Sequence, residues 1–114
     1  MSVCIFCRIV DGGIPAKIVH QDEQALVFED MNAQAPVHLL VIPKRHVASV
    51  QDCQGEDQAL LGHLLLTCSE VARMKNLAES GYRIVTNTGA DGGQSVPHLH
   101  FHVVGGRHMA WPPG

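Results

Sequence analysis

The sequence predicts an α+β fold with a mainly antiparallel five-stranded sheet and one long helix. Five short segments rich in β-branched and other apolar residues predict the strands, and one long segment with helical periodicity lies between the third and the fourth. A helix after every strand would favour a parallel sheet, whereas one helix among five strands favours antiparallel pairing. The 114 residues are expected to form a single domain, residues 1–114, because domains have on the order of 150 residues.

The first three strands lie in the N-terminal half of the chain. Residues 17–22 and 25–30 are β-rich and separated by two polar residues, which predicts a hairpin. Residues 38–43 form a continuous apolar run near two prolines, and such a run predicts a strand that is buried on both faces.

The helix and the last two strands follow. Apolar residues recur at steps of three and four over residues 56–80, and Gly81 supplies a stop. The residues that set this period are Leu61, Leu64 or Leu65, Cys68, Val71 or Ala72, and Leu77 or Ala78. Residues 82–87 and 98–104 read as strands, joined by the glycine-rich segment 89–97.

Composition excludes several classes of protein. Apolar residues make up 46% of the chain and charged residues 17%, which suits a globular core. No apolar run approaches the roughly 18 residues of a membrane span, and the N-terminus does not resemble a signal peptide, so a cytoplasmic protein without a membrane partner is expected. The net charge is −3 with only 8 scattered Lys and Arg residues. Binding to nucleic acid is therefore not expected, but a small phosphate ligand remains open.

Histidine is abundant, and three histidines alternate with apolar residues near the C-terminus. His98, His100 and His102 should share one face of a strand, because side chains two residues apart lie on the same side, about 6.7 Å from each other. Such a row could ligate a metal with an open position for water. It could also supply a neutral imidazole as a nucleophile toward phosphorus.

The segment before this row is suited to an anion. Residues 87–97 are rich in glycine, which permits positive φ angles and exposes backbone N–H groups. The segment is not a P-loop, because no Gly-Lys-Ser/Thr follows. Joined to Ser95 and the histidines, it predicts a phosphate cradle beside a nucleophile.

Two of the four cysteines form a C-x-x-C pair at the N-terminus. In a reducing compartment, Cys4 and Cys7 indicate metal or redox chemistry rather than a disulfide. They supply only two of the four positions of a tetrahedral zinc site. Cys53 and Cys68 are candidates for the rest, but Cys68 lies on the apolar stripe of the predicted helix and suits the core better.

These motifs together resemble the histidine-triad (HIT) family. The segment G-G-Q-S-V-P-H-L-H-F-H-V-V-G-G-R is similar to the family signature His-φ-His-φ-His-φ-φ, where φ is apolar. Further similar segments are G-G-I-P-A-K-I-V, F-E-D-M-N-A-Q-A-P-V-H-L-L-V-I-P-K-R-H, L-L-G-H-L and W-P-P-G, so the resemblance covers nearly the whole chain. It points to the Hint branch, the purine nucleoside phosphoramidases, and C-I-F-C is typical of bacterial members.

The resemblance implies a fold, an assembly and an activity. The fold is the antiparallel sheet with a long helix and a short N-terminal helix, and the assembly is a homodimer. The activity is hydrolysis of the P–N bond of purine nucleoside 5′-phosphoramidates, which are AMP or GMP derivatives, through a covalent nucleotidyl-histidine. No catalytic metal is implied.

The resemblance also assigns roles to residues. His100, the middle histidine, would be the nucleophile, and His102 and His38 would support it around the phosphate. Ser95 would contact the phosphate or the leaving group. The cradle would be lined by Asn87, Gly93 and Gln94.

The nucleoside and the partner subunit involve four further residues. Asp30 falls where the family binds the ribose hydroxyls, although by its position alone it would be interpreted as a solvated turn residue. Phe28 and Met31 flank the base. Trp111 lies in an apolar tail too short for a core of its own, and it is expected near the site of the neighbouring subunit.

A structural zinc is the last implication. His46 and His98 match the positions that complete a Cys₂His₂ site with Cys4 and Cys7 in bacterial relatives, and a closed site of this kind would stabilise the fold without catalysis. Two alternatives stay open. One is a non-catalytic, zinc-stabilised nucleotide-binding interaction protein, which measurable turnover would exclude; the other is a zinc hydrolase that uses the histidine row as ligands, which chelator-insensitive turnover would exclude.

Overall fold

Five strands form one antiparallel sheet in the computed structural model, which describes residues 4–114. The strands are β1 (Ile18–Gln21), β2 (Ala25–Glu29), β3 (Val37–Pro43), β4 (Tyr82–Thr86) and β5 (Phe101–Gly105). Their order in the sheet is β1-β2-β3-β5-β4, and each neighbouring pair is antiparallel. The predicted α+β class with a five-stranded antiparallel sheet is confirmed.

Two helices lie against this sheet, α1 (Ile5–Val10) and α2 (Gln58–Met74). The long helix α2 packs on one face, where Leu64, Cys68 and Val71 meet the inward residues of the strands. Those strand residues are Ala25, Val27, Leu39, Val41, Phe101 and Val103. Burial against α2 removes apolar surface from water and is the main stabilising contribution on this face.

The opposite face of the sheet carries α1. Phe6 of α1 packs with Leu26, Phe28, Leu40 and Ile42 of the sheet. Because successive side chains of a strand point to opposite faces, β3 contributes to both cores, which explains its continuous apolar run. This second face also carries the predicted site residues.

The long helix ends earlier than its sequence pattern predicted. It stops at Met74 rather than near residue 80, because Asn76 adopts a left-handed conformation with φ 62°. The N–H groups of Leu77 and Asn76 donate to the carbonyls of Ala72 and Arg73, which is the Schellman cap of a helix C-terminus. Leu77 therefore enters the core from a turn, and its periodic spacing with the helix misplaced the boundary.

The last strand begins later than predicted. Residues 98–100 are irregular and β5 starts at Phe101. The Leu99 N–H donates to the Val47 carbonyl at 2.6 Å, outside the ladder with β4. His98 and His100 thus lie buried in an irregular segment, although Leu99 and Phe101 still point into the core beneath α2.

The helices of the described part of the chain were also examined for membrane-spanning length. None of those within residues 4–114 combines the length and apolar character that crossing a bilayer requires.

Candidate active site

A cleft of about 630 Å³ opens on the sheet face that carries α1. Six of the predicted site residues line it: Phe28, Asp30, Met31, Ser95, His100 and His102. Apolar side chains of α1 and the following segment complete much of its wall: Ile5, Phe6, Ile9, Ile14, Pro15 and Ala16. The sequence-based prediction did not include this wall.

His100 is held in a single orientation by its surroundings. Its side chain is buried, and its Nδ1 lies 2.7 Å from the carbonyl oxygen of His98. A carbonyl only accepts hydrogen bonds, so Nδ1 carries the proton and Nε2 of the neutral ring keeps its lone pair. The edge of Phe6 packs against the imidazole, with ring centroids 5.1 Å apart. The cleft therefore contains an oriented imidazole with a free nucleophilic nitrogen.

His38 and His102 form a directed hydrogen-bond chain beside it. The Gln34 N–H donates to Nδ1 of His38 at 3.0 Å, which places the proton of the neutral His38 ring on Nε2. That Nε2 lies 2.8 Å from Nδ1 of His102 and 3.3 Å from a carboxylate oxygen of Asp30. His38 donates to His102, and the remaining N–H of His102 is on Nε2.

The protonation state of His102 follows from its environment. Burial lowers the pKa of His102 to about 4, and repulsion from His100 and His38 acts in the same direction, while Asp30 opposes it. His102 is accordingly neutral at pH 7. It can donate a hydrogen bond to a phosphoryl oxygen without carrying a charge.

Asp30 has two functions in the structure. One of its oxygens accepts from the Asn32 N–H at 2.8 Å and closes the turn after β2, while the other faces His38. Asp30 also lines the cleft, where its carboxylate can accept hydrogen bonds from a ligand. The contact with His38 was not apparent from the sequence, because the two residues belong to different strand ends.

The glycine-rich segment is held together by its own polar side chains. The Asn87 amide donates to the Gly92 carbonyl at 2.7 Å, and the Gln94 side chain accepts from the Gly89 N–H at 3.0 Å. Gly93 has a positive φ of 74° within this turn. Of the residues described at the cleft wall, Ser95 comes from this segment, whereas Asn87, Gly93 and Gln94 lie behind it.

Trp111 lies outside the cleft of its own chain. Its side chain is 81% exposed and is not among the described residues of the cleft wall. Its predicted place is at the site of a neighbouring subunit.

A second group of side chains converges next to His100. Cys4, Cys7, His46 and His98 each offer one ligand atom, and these four atoms lie within 4.8 Å of one another. Nδ1 of His98 is 3.3 Å from Sγ of Cys4 and 3.2 Å from Nδ1 of His46. Ligand atoms of a tetrahedral zinc centre, with bonds of about 2.0–2.3 Å, lie roughly 3.3–3.8 Å apart. The four residues form a cluster that could hold a metal ion.

The proton arrangement of this cluster also fits a metal. Nε2 of His98 donates to the Pro43 carbonyl at 2.8 Å, so its Nδ1 presents a lone pair to the two sulfurs. Burial lowers the pKa of His98, and the nearby His46 and His100 add to this effect against the hydrogen bond from Pro43. A neutral imidazole oriented by a carbonyl is the usual form of a structural histidine ligand.

Phe6 connects the cluster to the cleft. It lies between the two cysteines in sequence, and its ring packs edge-on against His98 at 5.9 Å, His100 at 5.1 Å and Phe28 at 5.5 Å between centroids. The sequence contained one signal for this role, an aromatic residue inside the C-x-x-C motif. Its contacts with His98 and His100 depend on the tertiary fold.

Comparisons with known proteins agree with this arrangement. The model of the HIT domain matches residues 11–109. The chain is 54% identical over 110 residues to a HIT-like protein of Synechococcus elongatus, covering 96% of each. It superimposes on the crystal structure of a HIT family hydrolase from Legionella pneumophila with a TM-score of 0.96 and 47% identity, covering 97% of this chain and 99% of that one.

A more distant structure carries a further description. A histidine triad nucleotide-binding protein from Candida albicans aligns with a TM-score of 0.82 and 29% identity, covering 96% of this chain and 82% of that one. An antiparallel α+β fold with a row of histidines at the end of its fourth sheet strand thus has close structural relatives. The chain belongs to the HIT family, and the resemblance stated from the sequence is confirmed.

Proposed function

We propose that the protein is a Hint-type phosphoramidase, which hydrolyses the P–N bond of purine nucleoside 5′-phosphoramidates. The observation that carries this proposal is the buried His100 imidazole, whose Nδ1–H is held by the His98 carbonyl and whose Nε2 is free. The names of two relatives, a hydrolase and a nucleotide-binding protein, agree with it.

The cleft has separate places for the parts of a nucleotide. The apolar walls from α1 and Phe28 suit the flat faces of a purine, and the exposed Met31 can cover the base from the rim. Asp30 is the acceptor for the ribose hydroxyls. The phosphate then falls to the end of the cleft where His100, His102 and Ser95 meet.

The reaction proceeds in two displacements. In the first, Nε2 of His100 bonds to phosphorus, the P–N bond breaks, and the amine nitrogen takes up a proton delivered from solvent through the Ser95 hydroxyl. In the second, water attacks phosphorus, gives up a proton, and releases the nucleoside monophosphate and free His100. The imidazole becomes positively charged in the intermediate, and the His98 carbonyl stabilises that charge through Nδ1–H.

His102, His38 and Asp30 support the phosphoryl group. The Nε2–H of His102 donates to a phosphoryl oxygen while Nδ1 accepts from His38, whose own position is set by Gln34 and Asp30. Neutral donors orient the phosphoryl group, and positioning of this kind supplies much of the rate in phosphoryl transfer. Backbone N–H groups of the loop add to the cradle, with Asn87, Gly93 and Gln94 shaping it.

Cys4, Cys7, His46 and His98 would hold a structural Zn²⁺. Two thiolates and two imidazoles are a donor set that suits zinc. Such a metal would fix the N-terminal segment to the sheet. Four protein ligands close the site, so His98 has a structural role and His100 a chemical one.

We further propose that the protein is a homodimer. Leu65 and Leu66 of α2, Ile84 of β4 and Trp111 are exposed apolar side chains. β4 is an edge strand of the sheet, and its outer backbone groups are available for contact with a second copy. In this assembly Trp111 of the partner lies near the leaving-group end of the cleft.

The experiment that tests the function is turnover of a panel of adenosine and guanosine phosphoramidates, with and without a chelator. Turnover that persists in chelator is expected. Nucleotide binding without turnover of any substrate would contradict the proposal and favour the non-catalytic binding protein. Turnover abolished by the chelator in a protein that stays folded would favour a zinc hydrolase.

A further inference from the structure

A second cleft of about 330 Å³ adjoins the first on the same face. The two clefts share three wall residues, Ile5, Ser95 and Val96, and the second continues along Ala48 and Pro97 toward the metal-ligand cluster. None of the sequence-based predictions assigned this space.

The second cleft begins where the proposed phosphate site ends. His100 and His102 line the first cleft and are not among the described residues of the second, so Ser95 marks the border between the two. The nucleophile and the leaving group of a phosphoryl transfer lie roughly in line on opposite sides of phosphorus. A phosphoryl group attacked by His100 therefore directs its leaving group past Ser95.

We propose that the second cleft binds the organic substituent of the amine leaving group, and that it selects uncharged, apolar substituents. This inference rests on the proposed phosphoramidase function. It names the class of substrate: nucleoside phosphoramidates whose amine carries an aralkyl or alkyl group.

The walls of the second cleft explain this selection. In the described part of the chain, no Lys, Arg, Asp or Glu side chain lines it, whereas Lys17, Glu29 and Asp30 line the first cleft. Ile5 is 53% exposed and would be covered by an apolar substituent. A charged substituent would lose hydration here without gaining a partner, which is unfavourable.

Ala48 leaves the room for such a substituent. It is the smallest apolar side chain of the wall, and its carbonyl accepts from the Gln94 amide at 2.7 Å, which ties the wall to the phosphate loop. Pro97 restricts the opposite side, because its ring fixes φ. A larger residue at position 48 should fill the cleft while the nucleotide cleft keeps its walls.

The test compares two substrates in wild type and Ala48→Trp. The substrates are unsubstituted adenosine 5′-phosphoramidate and its N-(2-phenylethyl) derivative, and the measured quantity is the ratio of their kcat/KM values. The ratio should favour the phenylethyl substrate in the wild type and fall at least tenfold in Ala48→Trp. A third substrate with an N-carboxyethyl group should be used at least tenfold less well than the phenylethyl one.

Ala59→Trp is the matched control, because Ala59 is exposed on the first turn of α2. It should leave the ratio within twofold of wild type. Ala48→Leu gives a smaller filling of the cleft and should lower the ratio by an intermediate amount, so the test also holds if the tryptophan variant does not fold.

The outcomes separate the two proposals. Turnover of no phosphoramidate would overturn the proposed function itself. Normal turnover with an unchanged ratio in a folded Ala48→Trp or Ala48→Leu variant would overturn the leaving-group cleft alone. Equal use of the phenylethyl and carboxyethyl substrates would overturn the selection for uncharged groups.

Discussion

Two groups of histidines lie side by side in this protein and are built for different chemistry. In the cysteine-containing cluster, the Nδ1 atoms of His46 and His98 approach to 3.2 Å and both face the sulfur of Cys7. In the other group, His38 Nε2 and His102 Nδ1 approach to 2.8 Å. The first distance is close to that between two ligands of one zinc ion, and the second is that of a hydrogen bond.

The difference arises at the other nitrogen of each ring. The Pro43 carbonyl takes the proton of His98, which turns a lone pair toward the cysteines, whereas the Gln34 N–H occupies the acceptor nitrogen of His38 and turns a proton toward His102. One backbone group thus determines whether a histidine offers a ligand or a hydrogen. His98 belongs to both regions, because its ring joins the cluster and its carbonyl holds His100.

The largest expected effect separates the nucleophile from its neighbours. His100→Ala should reduce turnover by at least about 1000-fold, because covalent catalysis needs the Nε2 lone pair. Nucleotide binding and folding should remain largely intact, as measured by calorimetry and thermal melting. Mass spectrometry of rapidly quenched wild type should find a nucleotidyl adduct on His100. An adduct found consistently on His102 would reverse the roles of the two histidines.

The metal-ligand cluster should govern stability. Cys4→Ser/Cys7→Ser should lose the one zinc per chain that the four-ligand count predicts and lower the Tm by about 10 °C, since loss of a structural metal removes folding energy. Measurable turnover should remain. Cys53→Ser, a half-buried cysteine outside the cluster, is the control and should keep its zinc. A metal-free wild type after zinc-replete expression would contradict the assignment.

The hydrogen-bonded group should govern rate. His38→Gln should lower kcat by about 10- to 100-fold, the range expected for loss of one strong hydrogen bond at a reacting group. Its zinc content should be that of the wild type. Asp30→Asn is the informative comparison, because its ribose contact predicts a raised KM as well. If His38→Gln instead released zinc, the two groups would not be independent.

The pH dependence of stability distinguishes the groups further. Burial lowers the pKa of His102 to about 4 in the folded protein, against about 6.5 in the unfolded chain. Between these values the unfolded chain binds more protons, so this residue makes stability fall as the pH falls through that window. The Tm of His102→Gln should therefore decline less than that of wild type between about pH 6.5 and pH 4.5. Parallel curves would show that His102 is not held neutral.

The smallest effect is expected at the C-terminal tail, which lies outside both groups. Deletion of residues 110–114 should change the preference among amine leaving groups about severalfold while the Tm shifts by only a few degrees, because Trp111 adds little to the core of its own chain. Analytical ultracentrifugation of the full chain should show a dimer. A monomer at micromolar concentration would contradict both the proposed dimer and this role of Trp111.

Local patterns in the chain were sufficient for the class of fold and for the chemistry of its motifs. Alternation of apolar residues predicted the strands, and the continuous run in β3 predicted a strand buried on both faces. The spacing of His98, His100 and His102 and the C-x-x-C pair also identified the family. These features depend on residues near one another in sequence, where the period of a strand or helix decides which side chains share a face.

Other features depend on contacts between distant parts of the chain, which periodicity cannot reveal. The end of α2 is set by the left-handed Asn76, and the start of β5 is delayed by the bond from Leu99 to Val47. The proton positions of the histidines follow from carbonyls and N–H groups that belong to other segments. The second cleft exists because α1 and the phosphate loop meet beside Ala48. Identical imidazoles acquire different chemistry here, since the fold determines which backbone group reaches the second nitrogen of each ring.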